Sequence, residues 1–141
     1  TGFKELTKHT SNNIHVGSLM NYNGKKQLRS FGYAWKGIRS CVGKEQNLSF
    51  HLIVSTLVIV AGLVFGITQM EWIAVILCIA IVITAELFNS SIERLVDLVS
   101  PVKNPAAGQI KDIAAGAVLV CAIGSAIIGL IIFIPYILAV L

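Results

Sequence analysis

Glu86, Asn89, Glu93 and Asp97 follow one another at intervals of three, four and four inside the second of three apolar stretches. On a helix that spacing lines one face within an arc of roughly 80°. An acid sunk in a membrane span costs about 3 kcal/mol on insertion scales and persists where it is neutral, paired or bound to a cation. Counting about 1.5 Å per residue from Trp72 sets Glu86 roughly 21 Å and Glu93 roughly 32 Å along the helix. Glu86 should therefore be largely desolvated, and Glu93 should lie near the far boundary. Glu45 precedes the first span, and Lys111 and Asp112 open the third, so several carboxylates gather at one depth beside cations. Such a cluster suits a divalent metal carrying phosphates. Proton or cation handling, and hydrogen bonding that merely glues helices together, stay open on residue types alone.

The elements that must hold these side chains are membrane spans. Of 141 residues, 55% are hydrophobic and 13% charged, with a mean hydropathy of +0.80; an ordinary soluble domain is excluded. The predicted fold is all-α, with spans at about 48–67, 72–97 and 113–135. The first holds no acid or strong base, only His51 and small hydroxyl residues; the second is apolar through Ala85 and then polar, with its helical period continuing toward Pro101. The third is uncharged: Gly116, Gly124 and Gly129 permit close helix approach, and Pro135 is expected to kink its outer end. Over 25–45, Leu28, Phe31, Trp35, Ile38 and Val42 step by three and four, with Lys26, Arg29, Lys36 and Lys44 on the other sides. That pattern predicts an amphipathic surface helix, lying in the headgroup layer or packed on its own bundle. Residues 1–24 are polar, without apolar period, and are expected to be mobile. Met20 is a candidate natural start, which would leave 1–19 as a vector-derived remnant or an alternative start.

The net charge of +4 follows the spans. Lys25, Lys26, Arg29, Lys36, Arg39 and Lys44 precede the first, and Arg94, Lys103 and Lys111 surround the connection between the second and third, whereas residues 66–71 hold no Lys or Arg. The positive-inside rule predicts three passes with a cytoplasmic N-terminus and an outward C-terminus. Charge so placed points to a bilayer, and no nucleic-acid partner is expected. Cys41, Cys78 and Cys121 form no CxxC pair and are read as small packing residues; His9, His15 and His51 have no ligand spacing. No GxxxxGK[ST] loop occurs. Glu71 is expected to be solvated, and Asp97 to cap its helix or pair with Arg94.

The run Ala85-Glu86-Leu87-Phe88-Asn89-Ser90-Ser91-Ile92-Glu93, with Val96-Asp97 and the later Lys111-Asp112, resembles the signature of the small integral-membrane diacylglycerol kinases of bacteria, a family that includes the undecaprenol kinases. Phe31-Gly32-Tyr33-Ala34-Trp35-Lys36-Gly37-Ile38-Arg39 and Glu45 resemble its N-terminal block, and the likeness runs without gaps from about residue 26 to 133. It implies a homotrimeric helical bundle of three-span subunits, each with an N-terminal surface helix, in the bacterial inner membrane. Residues 25–141 would then form one lipid kinase domain that moves the γ-phosphate of Mg-ATP to a lipid hydroxyl at the cytoplasmic interface. By this resemblance Glu86 is the general base and Asn89 orients the reacting groups. Glu45 and Glu93 hold Mg²⁺, and together with Tyr33, Lys26, Lys111 and Asp112 they contact ATP. Lys26, Trp35 and Ala115 join Glu86 at the lipid substrate, diacylglycerol or undecaprenol.

The chain departs from the family pattern at Val102-Lys103-Asn104, where an acid, an aromatic and a histidine help to bind nucleotide. Asn47, His51 and the Leu-Val-Ser-Pro turn are more similar to the undecaprenol kinase branch. The alternatives are a small carboxylate-lined proton or cation carrier, which would place acids at mid-membrane in broken helices, and a structural membrane subunit.

Overall fold

A computed structural model describes the backbone over residues 24–140 and the side chains over 27–140. The expectations for the N-terminal segment before residue 24, and for Met20, lie outside the described residues. Four helices follow in order: α1 (Gly24–Cys41), α2 (Gln46–Phe65), α3 (Gln69–Val99) and α4 (Pro105–Val140). The architecture is all-α, and α2, α3 and α4 are each long and apolar enough to cross a membrane. The chain divides into two compact units, one through Trp35 and one from Lys36 onward. The first is helical from Gly24; the packing of α2, α3 and α4 belongs wholly to the second.

Element boundaries differ from the expected ones. α1 stops at Cys41 instead of running to 45, because Gly43 takes a left-handed conformation (φ 77°) and the amides of Lys44 and Glu45 turn back to the Cys41 carbonyl. Glu45 is thus the N-cap of α2, extended at φ −94° and ψ 118°, and not the end of the surface helix. With 31 and 36 residues, α3 and α4 are roughly 46 and 54 Å long. Both outrun a hydrocarbon core of about 30 Å, which is how α3 stays helical after its sequence turns polar.

Packing is tightest around the α2–α3 turn. Gly66 caps α2 in the left-handed region (φ 64°), and Thr68 and Glu71 form a reciprocal capping box that starts α3. A Cβ at Gly62 would stand 2.9 Å from Trp72 Cη2. The close-approach glycine within the chain is therefore Gly62; Gly116, Gly124 and Gly129 face open space. Ile67, Val75 and Ile132 form the buried core here, flanked by Phe65, Trp72, Phe133 and Tyr136. Glu71 is not merely solvated: besides its capping bonds it accepts the Tyr136 hydroxyl at 2.8 Å, tying α3 to α4. α4 stays helical through Pro135. α3 packs mainly on α4 and secondarily on α2, while large apolar side chains such as Leu57, Leu63, Val120 and Ile131 face outward, as befits helices solvated by acyl chains.

Candidate active site

Away from that turn, α3 buries polar groups. Glu86, Asn89 and Ser90 are only 2%, 4% and 2% exposed, and their helical spacing turns them to one side together with Glu93. The Asn89 amide donates from Nδ2 to Glu93 Oε1 at 3.0 Å, which leaves Asn89 Oδ1 buried without a partner among the described residues. Such an acceptor loses about 1–3 kcal/mol unless something supplies a donor.

The start of α2 faces this stretch. Lys44, Glu45, Glu86, Asn89, Ser90 and Glu93 line one polar recess of about 340 Å³. Arg94 fixes its rim, donating from Nη2 to Glu45 Oε1 at 3.1 Å and to the Ser40 carbonyl at 3.2 Å, and from Nη1 to Ser40 Oγ at 3.0 Å. One guanidinium fork therefore ties the last turn of α1 to the N-cap of α2. On the membrane side, His51 Nε2 comes within 3.4 Å of Glu86 Oε1.

The donor set is one that Mg²⁺ accepts. Glu45 and Glu93 present hard carboxylate oxygens, and the bonds to Arg94 and Asn89 engage Oε1 in each case. Among the described residues no three His, Cys, Asp or Glu side chains form a metal cage. A phosphate-bound magnesium needs none, since it takes one or two carboxylates and completes its shell with phosphate and water oxygens.

Other candidates fall elsewhere. Asp97 leaves the polar row: it pairs with Lys111 across the α3–α4 connection, and Arg94, its expected partner, is engaged by Glu45 and Ser40. Asp97 and Lys111 line a second recess of about 570 Å³ with Lys103, Asn104 and Gly108. Asp112 and Ala115 are exposed on α4. Tyr33 and Trp35 belong to the N-terminal unit, and the Lys26 side chain lies outside the described residues. Sequence reasoning did not single out His51 as a partner of Glu86, nor Lys44, Gln46, Asn47 and Ser90 as walls of the recess. The signal for His51 was present, for an ionisable group in an apolar span requires a partner; nothing in the spacing said which acid it would meet.

The profile of the prokaryotic diacylglycerol kinases matches residues 32–133. An undecaprenol kinase of Bacillus subtilis is 39% identical over 108 residues, covering 77% of this chain and 88% of the relative. The chain belongs to the prokaryotic diacylglycerol kinase family. A diacylglycerol kinase of Synechocystis is 32% identical over 115 residues, covering 81% of this chain and 66% of the relative. One of Escherichia coli K12 is 26% identical over 96 residues, covering 68% and 79%. The family makes the chain a lipid kinase, and its three apolar helices make it a multi-pass membrane protein. The matched segment holds the whole polar recess, His51 and the Asp97–Lys111 pair. The carrier reading loses its premise as well, since α3 runs unbroken past its acids.

Proposed function

We propose that this kinase transfers the γ-phosphate of Mg-ATP to the hydroxyl of undecaprenol or diacylglycerol at the cytoplasmic face of a bacterial plasma membrane. The observation that carries the proposal is Glu86, 2% exposed, sharing one recess with Asn89, whose Oδ1 lacks a donor, and with the carboxylates of Glu45 and Glu93.

The residues divide the labour. Phosphoryl transfer leaves little covalent work to a protein beyond positioning and charge neutralisation. As the lipid oxygen bonds to phosphorus and the bond to the ADP oxygen breaks, the hydroxyl proton passes to the Glu86 carboxylate, where burial keeps water from competing as acceptor or as nucleophile. Asn89 Oδ1 accepts a hydrogen bond from the reacting groups and holds them in line. Glu45 and Glu93 would hold Mg²⁺, which when bound would supply positive charge against the phosphates. Within the second unit, Lys111 and Asp112 contact nucleotide and Ala115 contacts the lipid.

The basic residues before α2 and around the α3–α4 connection support a cytoplasmic N-terminus by the positive-inside rule. Residues 25–141 act as one lipid kinase domain, and exposed apolar faces on α2 and α4 leave room for a homotrimer. Identity falls from 39% with the undecaprenol kinase to 32% and 26% with the diacylglycerol kinases, which favours a polyprenol acceptor.

The test is purified protein in mixed micelles with γ-labelled ATP, Mg²⁺ and either lipid. Label should enter lipid, undecaprenol ahead of diacylglycerol; label in neither would discard the proposed reaction, and the reverse order would discard the polyprenol preference.

A further inference from the structure

His51 stands at a junction. It lines an apolar pocket of about 400 Å³ with walls from α2, α3 and α4, together with Val58, Cys78, Val82, Ser125 and Phe133. Its Nε2 lies within 3.4 Å of Glu86 Oε1. Glu86 in turn lines the polar recess and not the cavity. The contact therefore bridges a compartment with the chemistry of alkyl chains and one with the chemistry of phosphates.

The pair is secluded: the His51 and Glu86 side chains are 17% and 3% exposed. No hydrogen bond to the Glu86 carboxylate occurs among the described residues, and His51 is the side chain in ion-pair range of it. A carboxylate has two oxygens, and a base works only when one of them faces the proton it takes.

From this we propose that His51 is a positioning residue for Glu86. Its Nε2–H donates to Oε1 when the pair tightens by a few tenths of an ångström in the substrate complex, and that bond presents Oε2 to the lipid hydroxyl at the mouth of the cavity. Supporting partners of this kind are worth about ten- to a hundredfold where they have been removed from working sites. The role needs an N–H at the Nε2 position and no change of protonation. The inference rests on Glu86 being the base.

Two substitutions separate positioning from packing. His51→Gln keeps an N–H donor at similar reach. His51→Leu keeps the bulk and suits the apolar wall, but donates nothing. If His51 positions Glu86, H51L lowers kcat ten- to a hundredfold with the KM for ATP and for lipid within about twofold of the unaltered protein, while H51Q stays within about threefold in kcat. If His51 only fills the wall, H51L is the better tolerated of the two. Wild-type kcat in H51L, equal losses in both variants, or a loss confined to KM would each overturn the inference. Thermal unfolding of both variants in detergent checks that each is folded. Glu86→Gln is assayed alongside: if it keeps full turnover, the base assignment itself fails, whereas an inactive E86Q beside an unaffected H51L removes only the role given to His51.

Discussion

At the α2–α3 turn, Glu71 accepts the Thr68 amide at 2.7 Å, the Thr68 hydroxyl at 2.7 Å and the Tyr136 hydroxyl at 2.8 Å. Farther along the same helix, Glu86 is more deeply buried and has one histidine at 3.4 Å, and the neighbouring Asn89 Oδ1 has nothing. Both acids sit on α3, yet the chain completes the first and leaves the second waiting. An acid whose Oε2 takes three hydrogen bonds from a capping box and a tyrosine holds helices together. An acid kept dry beside an unpaired amide oxygen and two further carboxylates is arranged around groups that the chain does not itself supply. The cluster of Ile67, Val75 and Ile132 lies at the turn, other apolar residues such as Leu48, Val82 and Val118 are buried elsewhere, and among the described residues the buried polar side chains are Glu86, Asn89 and Ser90.

Substitutions that break this contrast should separate activity from stability. The largest effect is expected from Glu86→Gln, with turnover falling on the order of 10²- to 10⁴-fold while ATP binding is spared. Labelled phosphate transfer and nucleotide binding measured on one preparation check it, and unchanged turnover would remove Glu86 from the base role. Next comes Glu93→Gln, which should raise the Mg²⁺ concentration for half-maximal rate by about ten- to a hundredfold; a Mg²⁺ titration at saturating ATP that does not shift would argue against metal binding there. At the turn the readout becomes thermal unfolding in detergent. Gly62→Leu drives a side chain into Trp72 and should cost about 1–3 kcal/mol, with turnover per folded molecule retained. Thr68→Ala removes the N-cap of α3 at about 1 kcal/mol. Tyr136→Phe, which frees one bond on Glu71, should lower the midpoint least of all. Loss of catalysis from either of the last two, with folding intact, would collapse the distinction between the ends.

Much of this was readable along the chain. Hydropathy and helical period are local properties, so the three spans, the amphipathic helix before them and the shared face of Glu86, Asn89 and Glu93 could be read before any helix was packed. The nine-residue run from Ala85 to Glu93 carried the family. Boundaries were less legible: a left-handed Gly43 ends α1 early, and α4 begins at Pro105, before the apolar run of the third span.

Pairing across helices was decided only in three dimensions. Asp97 belonged by spacing with Glu93, but it meets Lys111 of α4; Arg94, one turn nearer, meets Glu45. Glu71 read as a loop acid and proved to be a clasp, and Gly62 became the contact glycine through the position of Trp72. The sequence by itself determined which side of each helix is polar and how long each apolar run is, because both depend on residues a few positions apart. Which acid faces which cation, and which oxygen is left without a partner, depends on the rotation and offset of one helix against another. Those are set by packing over the whole bundle, and only the tertiary structure decides them.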